Sequence, residues 1–167
     1  QMDHHGMLFS VLPHSTMLKP GKYLSWRKDR LLAFHTLLAV VTFPGDLFYP
    51  VAINSVGIFL RKGVPHERGA QVLWLRAVND GLRKSKGKRL PHPSLKNDFD
   101  EVADRLRAFL DNPRQVVSSV NQFFKAAPID AADSHLELVP EAYLDQEEPT
   151  HEQVIAGIAA NIRDLVA

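Results

Sequence analysis

The sequence predicts an α/β protein, a mixed sheet of about four strands followed by a helical C-terminal region. Three observations lead there. Short apolar runs closed by turn residues recur through the first half of the chain, a strand–helix–strand spacing appears near its start, and beyond residue 96 the apolar positions fall into a helical period.

Gly6 to Pro13 (GMLFSVLP) is an apolar run closed by proline and reads as a buried strand, with His14, Ser15 and Thr16 in a loop at its carboxyl end. Lys22 to Phe34 reads as an amphipathic helix, with Tyr23, Trp26, Leu31 and Phe34 inward and Lys22, Arg27, Lys28 and Arg30 in water. His35 to Phe43 (HTLLAVVTF) is a second buried strand, so the unit is βαβ with parallel strands and a right-handed crossover. The turn Pro44-Gly45-Asp46 opens a short loop, Leu47 to Val51, and the third run, Ile53 to Arg61, comes so soon after it that it should pair antiparallel. Gln71 to Val78 is a fourth strand, leading into the basic stretch Asn79 to Leu90.

In the second half, Asn97 or Asp98 caps a helix whose inward face is Phe99, Val102, Ala103, Leu106, Phe109 and Leu110. Asn112 with Pro113 at the first helical position starts another, burying Val116, Val117, Val120, Phe123 and Phe124. Thr150-x-x-Gln153 is a capping box for a third, with Val154, Ile155, Ile158, Ile162 and Leu165 inward. Residues 128–149 between them are acidic and irregular, with a short apolar segment at Leu136 to Val139.

The length, 167 residues with 45% hydrophobic and 23% charged, suffices for a buried core. The absence of cysteine removes disulfides, thiolate metal sites and cysteine nucleophiles, and suits a reducing, cytoplasmic setting. No apolar run approaches the roughly 20 residues of a membrane helix, so no membrane partner is expected. Gln1 in place of methionine reads as a fragment that enters a domain partway through, or as a processed terminus. The net charge of +1 conceals an asymmetry: residues 61–90 carry nine Lys/Arg against two Asp/Glu, and residues 97–167 carry five against fourteen. One surface should therefore meet a polyanion.

Most catalytic chemistries lack support. The eight histidines show no HxxxH or HxH spacing, so no metal site is expected. Ser10, Ser15, Ser55 and Ser85 lack a G-x-S-x-G setting, and Lys84-Ser85-Lys86-Gly87-Lys88 is not a phosphate-binding P-loop. By contrast, Arg83, Lys84, Lys86, Lys88 and Arg89 crowd five cations into seven positions. Such density suits either a solvated loop or a loop lying on a phosphate backbone.

Three stretches taken in order carry a more specific likeness: GMLFSVLPHSTML, then WRKDRLLAFHTLLAVVTFPGDLFYPVAINSVGIFLRKG, then VLWLRAVNDGLRKSKGKRLP. Together they resemble the region downstream of the catalytic tetrapeptide in adenine-specific (N6) DNA methyltransferases, above all the modification subunits of type I restriction systems and their single-chain relatives. Asp80-Gly81 and Lys86 to Arg89 match that family's last element. Leu138 to Leu144 resembles a motif near the family's C-termini, readable as a turn with an apolar docking patch or as a contact for a specificity subunit.

The resemblance implies that residues 1–95 are the C-terminal part of a methyltransferase catalytic domain, the late strands of a Rossmann-like sheet, with 96–167 a helical C-terminal region. Family members bind S-adenosylmethionine through a Gly-rich loop and transfer its methyl to adenine N6 at an Asn/Asp-Pro-Pro-aromatic tetrapeptide. Neither motif occurs here, since Asp111-Asn112-Pro113-Arg114 lacks the second proline and the aromatic and is explained as a helix start. The chain alone is thus expected to have no catalytic residue and to bind no donor. Phe48 aligns with the ring that lies against an extruded adenine, and Tyr49 is its neighbouring rival. On residue type alone Phe48 is a loop anchor packed in the core. The implied partners are double-stranded DNA, held at Arg83, Lys84, Lys86, Lys88 and Arg89, and a specificity subunit, with self-association through an exposed sheet edge as a further expectation. The other reading is a non-catalytic nucleic-acid-binding or subunit-assembly module on the same fold.

Overall fold

A computed structural model describes residues 6–51, 53–85, 88–113 and 123–145, with the main chain alone at residues 84 and 85. Its centre is a five-stranded mixed sheet. The strands are β1 (Met7–Pro13), β2 (His35–Thr42), β3 (Ser55–Lys62), β4 (Gln71–Arg76) and, beyond a two-stranded hairpin of β5 (Leu82–Ser85) and β6 (Lys88–Pro91), β7 (Phe124–Pro128). Their spatial order is β1-β3-β2-β4-β7.

The expected pairings are partly rearranged. β2 and β3 pair antiparallel, as the short connection requires, and β2 and β4 pair parallel. β1 and β2 run in the same direction, yet they do not touch, because β3 lies antiparallel between them. β1 is consequently an edge strand rather than the buried one its composition suggests, with Met7, Phe9 and Val11 each exposed by four-tenths or more. Only its alternate residues Leu8 and Leu12 turn to the core.

Each sheet face has its own cover. Leu37, Val40, Val56, Ile58, Leu60, Val72 and Trp74 project to the side packed by α1 (His14–Leu18), the following helix and the segment 138–144. Ala39, Val41, Leu73, Leu75 and Ala126 project to the other side, where Phe99, Val102, Leu106 and Phe109 of α3 (Asp98–Asp111) cover them. The α3 start is as expected: the Asn97 side chain accepts from the Phe99 amide at 3.1 Å, and Asp98, Asp100 and Glu101 complement the helix dipole.

The helix expected over Lys22 to Phe34 runs as α2 (Lys22–Trp26) continued by a wider π-helical turn, Arg27–Leu32. Arg27 departs from expectation, for it is fully buried where a wet face was predicted. Its guanidinium donates from Nη1 to the carbonyls of Thr16 (2.8 Å) and Lys19 (3.0 Å), from Nη2 to Leu18 (3.4 Å) and His135 (2.9 Å), and from Nε to Leu136 (2.9 Å). Three of these acceptors are the orphan carbonyls where α1 ends, so a buried cation replaces water as their donor. Burial draws its pKa below the ordinary arginine value, and the carboxylates of Asp133 and Glu137 oppose that shift.

The second half contributes a strand where helix was expected. Phe124 begins β7, which pairs antiparallel with β4 from Gln71↔Pro128 to Leu75↔Phe124. The open edge of β4 offers hydrogen bonds that local preference in residues 112–124 does not anticipate. Asn112 itself ends α3, its amide donating to the Ala108 carbonyl at 3.0 Å; the rest of that predicted helix, residues 114–122, and the helix after Thr150 lie outside the described residues. α3 packs on the second face of the sheet and β7 extends the sheet at β4.

Leu138, Val139, Pro140 and Leu144 are buried against the first face, so the 138–144 motif is an apolar patch docked on its own chain. Tyr143 stacks on Trp74 with centroids 3.8 Å apart and planes 2° from parallel. Among the described residues no helix is long and apolar enough to cross a membrane.

Gly57, in the middle of β3, lets aromatic rings cross the sheet. A Cβ there would lie 2.7 Å from ring atoms of both Phe9 and Phe43 and 2.9 Å from Val41. Gly57→Ala should therefore destabilise by about 1–3 kcal/mol through overpacking. A shift in urea midpoint worth less than about 0.5 kcal/mol, the usual scatter of neutral surface changes, would contradict this.

Candidate functional site

The carboxyl ends of β1, β2 and β4 open on one side of the sheet, the side at which parallel strands most often present ligands. A cavity of about 360 Å³ lies there, lined by His14 just after β1, Thr42 at the end of β2, Asn54 before β3, Arg76 at the end of β4, and Glu141. Glu141 arrives from the distant Pro140–Ala142 turn. Its carboxylate accepts from Thr42 Oγ1 at 3.0 Å and stands 3.4 Å from His14 Nε2. None of these five residues was singled out from sequence. His14, Thr42 and Arg76 had one readable signal, their places at strand ends, whereas Glu141 stood only within the Leu138 to Leu144 motif, because its place at the cavity depends on how residues 138–144 dock.

Beside the cavity the chain leaves β2 through Phe43, Pro44 and Gly45 and makes successive turns, Leu47 amide to Pro44 carbonyl (3.0 Å), Tyr49 to Asp46 (3.1 Å) and Val51 to Phe48 (3.0 Å). These hydrogen bonds give residues 44–51 of the connection a defined shape. At its tip Phe48 is 44% exposed, and Val51 and Ile53 are exposed as well, while Tyr49 is half-buried. Phe48 is therefore not the core anchor that residue type alone suggests.

The basic stretch is a hairpin and not a loop. Its register pairs Arg83 with Leu90, Lys84 with Arg89 and Ser85 with Lys88. Strand alternation places Arg83 and Lys88 on one face, both exposed, and Arg89 on the other. Residue 86 and the Lys84 side chain lie outside what is described. Arg89 turns inward: Nη2 is ion-paired to Asp80, Nη1 donates to the Leu47 carbonyl at 2.5 Å, and the Asp80 side chain is only 8% exposed. Asp80 also accepts from the Leu82 amide at 3.0 Å and bridges to Asn97, the cap of α3. The Arg89 side chain thus joins the hairpin to the Phe48 loop, and the main chain of Asp80 bridges to the start of α3. Among the described residues no three His, Asp or Glu side chains gather as a metal site.

Known proteins resemble this chain in sequence and in fold. The family model described as N-6 DNA Methylase matches residues 1–152. The type II restriction enzyme and methyltransferase RM.BcgI of Heyndrickxia coagulans is 31% identical over 84 residues, 49% of this chain and 13% of that protein. The type I restriction enzyme MjaVIII methylase subunit of Methanocaldococcus jannaschii is 29% identical over 101 residues, 60% of this chain and 17% of that protein. Among solved structures, a chain from a type I R-M system study superposes with a TM-score of 0.59 at 18% identity, covering 99% of this chain and 34% of its own length. The type I restriction-modification system methyltransferase subunit from Streptococcus thermophilus gives 0.59 at 18% identity over 84% of this chain and 27% of its own. The likeness to the solved structures is one of fold. The chain spans about a third or less of each of these proteins.

Proposed function

Since the chain belongs to the N-6 DNA methylase family, we propose that it is the substrate-side, DNA-facing part of an adenine-N6 DNA methyltransferase of a restriction-modification system. On this reading its sheet supplies the late strands of a Rossmann-like methyltransferase sheet, and an apolar ring waits at their carboxyl end for an extruded adenine. The observation that carries it is Phe48, exposed at the tip of a hydrogen-bonded loop next to a polar cavity. A base drawn out of a duplex loses stacking, and an aromatic platform restores part of it.

Members of this family generally use S-adenosylmethionine, which supplies the methyl group. The described residues do not fit that donor, because the turns after β1, β2 and β4, Pro13-His14, Phe43-Pro44-Gly45 and Ala77-Val78, are not the glycine-rich kind that lets main chain approach a ligand closely. No step of transfer is assigned to them. What they do is bind and orient: Phe48, with the half-buried Tyr49 next to it in the chain, faces the base, and Arg83, Lys84, Lys86 and Lys88 meet phosphates. Arg89, turned to the other face and paired with Asp80, holds the hairpin to the loop rather than meeting phosphate. Each phosphate neutralised should add about 0.9 to the salt dependence of binding. A specificity subunit is the protein partner this role calls for, and the open edge of β1 is where self-association would occur.

The test is binding of a duplex carrying one unpaired 2-aminopurine, followed by fluorescence. Phe48→Ala should weaken binding by about 5- to 150-fold, the worth of one base–aromatic stack, and relieve the quenching that stacking produces. Tyr49→Ala should do less. Equal affinity and equal fluorescence for Phe48→Ala would remove the assignment.

A further inference from the structure

The geometry points to Arg89 as a positioning residue that links the seating of the basic hairpin on a phosphate backbone to the posture of the Phe48 loop. The inference rests on the reading of Phe48 given above and adds a coupling that reading does not require. One planar guanidinium bridges the two elements: its Nη2 is paired with Asp80, at the root of the hairpin, and its Nη1 donates to the carbonyl of Leu47, the residue before Phe48. Asp80 is itself held by the Leu82 amide and by its bridge to Asn97. Arg83 and Lys88 lie on the opposite, exposed face of the same hairpin. A phosphate engaging that face therefore acts on a two-stranded element whose inner side holds the loop. Lysine keeps the charge but has one nitrogen, and it does not reproduce the planar fork that satisfies both acceptors at once.

Two substitutions in the full chain open the clasp from opposite sides. Arg89→Lys retains the cation, and Asp80→Asn removes an anion that on charge alone should oppose DNA. Each is combined with Phe48→Ala in a double-mutant cycle, read as affinity for a duplex with one unpaired 2-aminopurine. Amide exchange of Leu47, Tyr49 and Val51 is followed in the free protein. The expected result is that either substitution speeds exchange at those amides and weakens binding about three- to tenfold, within the range of coupled pairs. The salt dependence should be unchanged in Arg89→Lys, and the loss caused by Phe48→Ala should shrink in both backgrounds. A Phe48→Ala loss of the same size in wild type and in both backgrounds overturns the coupling, whatever the amides do. No loss for Phe48→Ala even in wild type overturns the base-facing reading itself, and the coupling with it. Reading both clasp variants together keeps a folding defect in one from deciding the matter.

Discussion

Replacing Arg27 with alanine is expected to lower stability by about 3–5 kcal/mol, the usual effect of removing one partner from a buried charged hydrogen-bond network. The size follows from position and valence. The side chain has no solvent-exposed surface, and it satisfies five carbonyls drawn from two segments far apart in the chain, Thr16 to Lys19 and His135 to Leu136. Without it those carbonyls keep their burial and lose their donor. Arg27→Lys should recover only a minority of the loss, because three protons on a single nitrogen do not span acceptors on both segments. Urea denaturation monitored by far-UV circular dichroism measures both variants. A loss below about 1 kcal/mol for Arg27→Ala, typical of an ordinary single hydrogen bond, would show that the five contacts are not cooperative. The effect should reach the strand-end cavity, because the segment Arg27 fastens leads directly to Glu141.

Trp74→Ala should cost a comparable amount, about 3–5 kcal/mol, from the cavity left in a close-packed interior. Trp74 is fully buried in β4, its Nε1 donates to the Ala127 carbonyl on β7 at 3.0 Å, and its ring lies flat against Tyr143. One residue thus joins three pieces, the central sheet, its last strand and the 138–144 segment. Trp74→Phe keeps an aromatic surface for Tyr143 and loses the hydrogen bond, so its penalty should be close to the roughly 1 kcal/mol of such a bond plus the smaller ring. The two variants, compared by denaturant midpoint, separate packing from hydrogen bonding. Equal losses would mean that the stack contributes nothing beyond the indole N–H.

Much of the molecule is set by interactions within a few residues. The alternating and continuous apolar runs mark four strands, and the Asn97 cap with its i, i+3, i+4 face marks α3, because caps and periodic faces act between neighbours in sequence. The turn at Pro44-Gly45 and the short loop after it were enough for the antiparallel pairing of β2 and β3. Phe48 was reachable only through a pattern of residues spread over half the chain, since a lone phenylalanine in a loop is equally an anchor. Its exposure, and the half-burial of its neighbour Tyr49, belong to the folded molecule.

The sequence by itself determined that this is a mixed α/β chain with a basic stretch, an aromatic loop after the second strand, and the order of motifs by which its family is recognised. Only the tertiary structure decided that β3 separates β1 from β2, that residues 124–128 become a strand, and that Arg27 and Arg89 serve the interior. The physical reason is common to all of these. A strand's place depends on which edge is open to it, and an arginine's environment on acceptors supplied from elsewhere, 109 positions away for Arg27 and Leu136 and 42 for Arg89 and Leu47. Local preference carries no record of such partners, and burial with good hydrogen-bond geometry outweighs it when they meet.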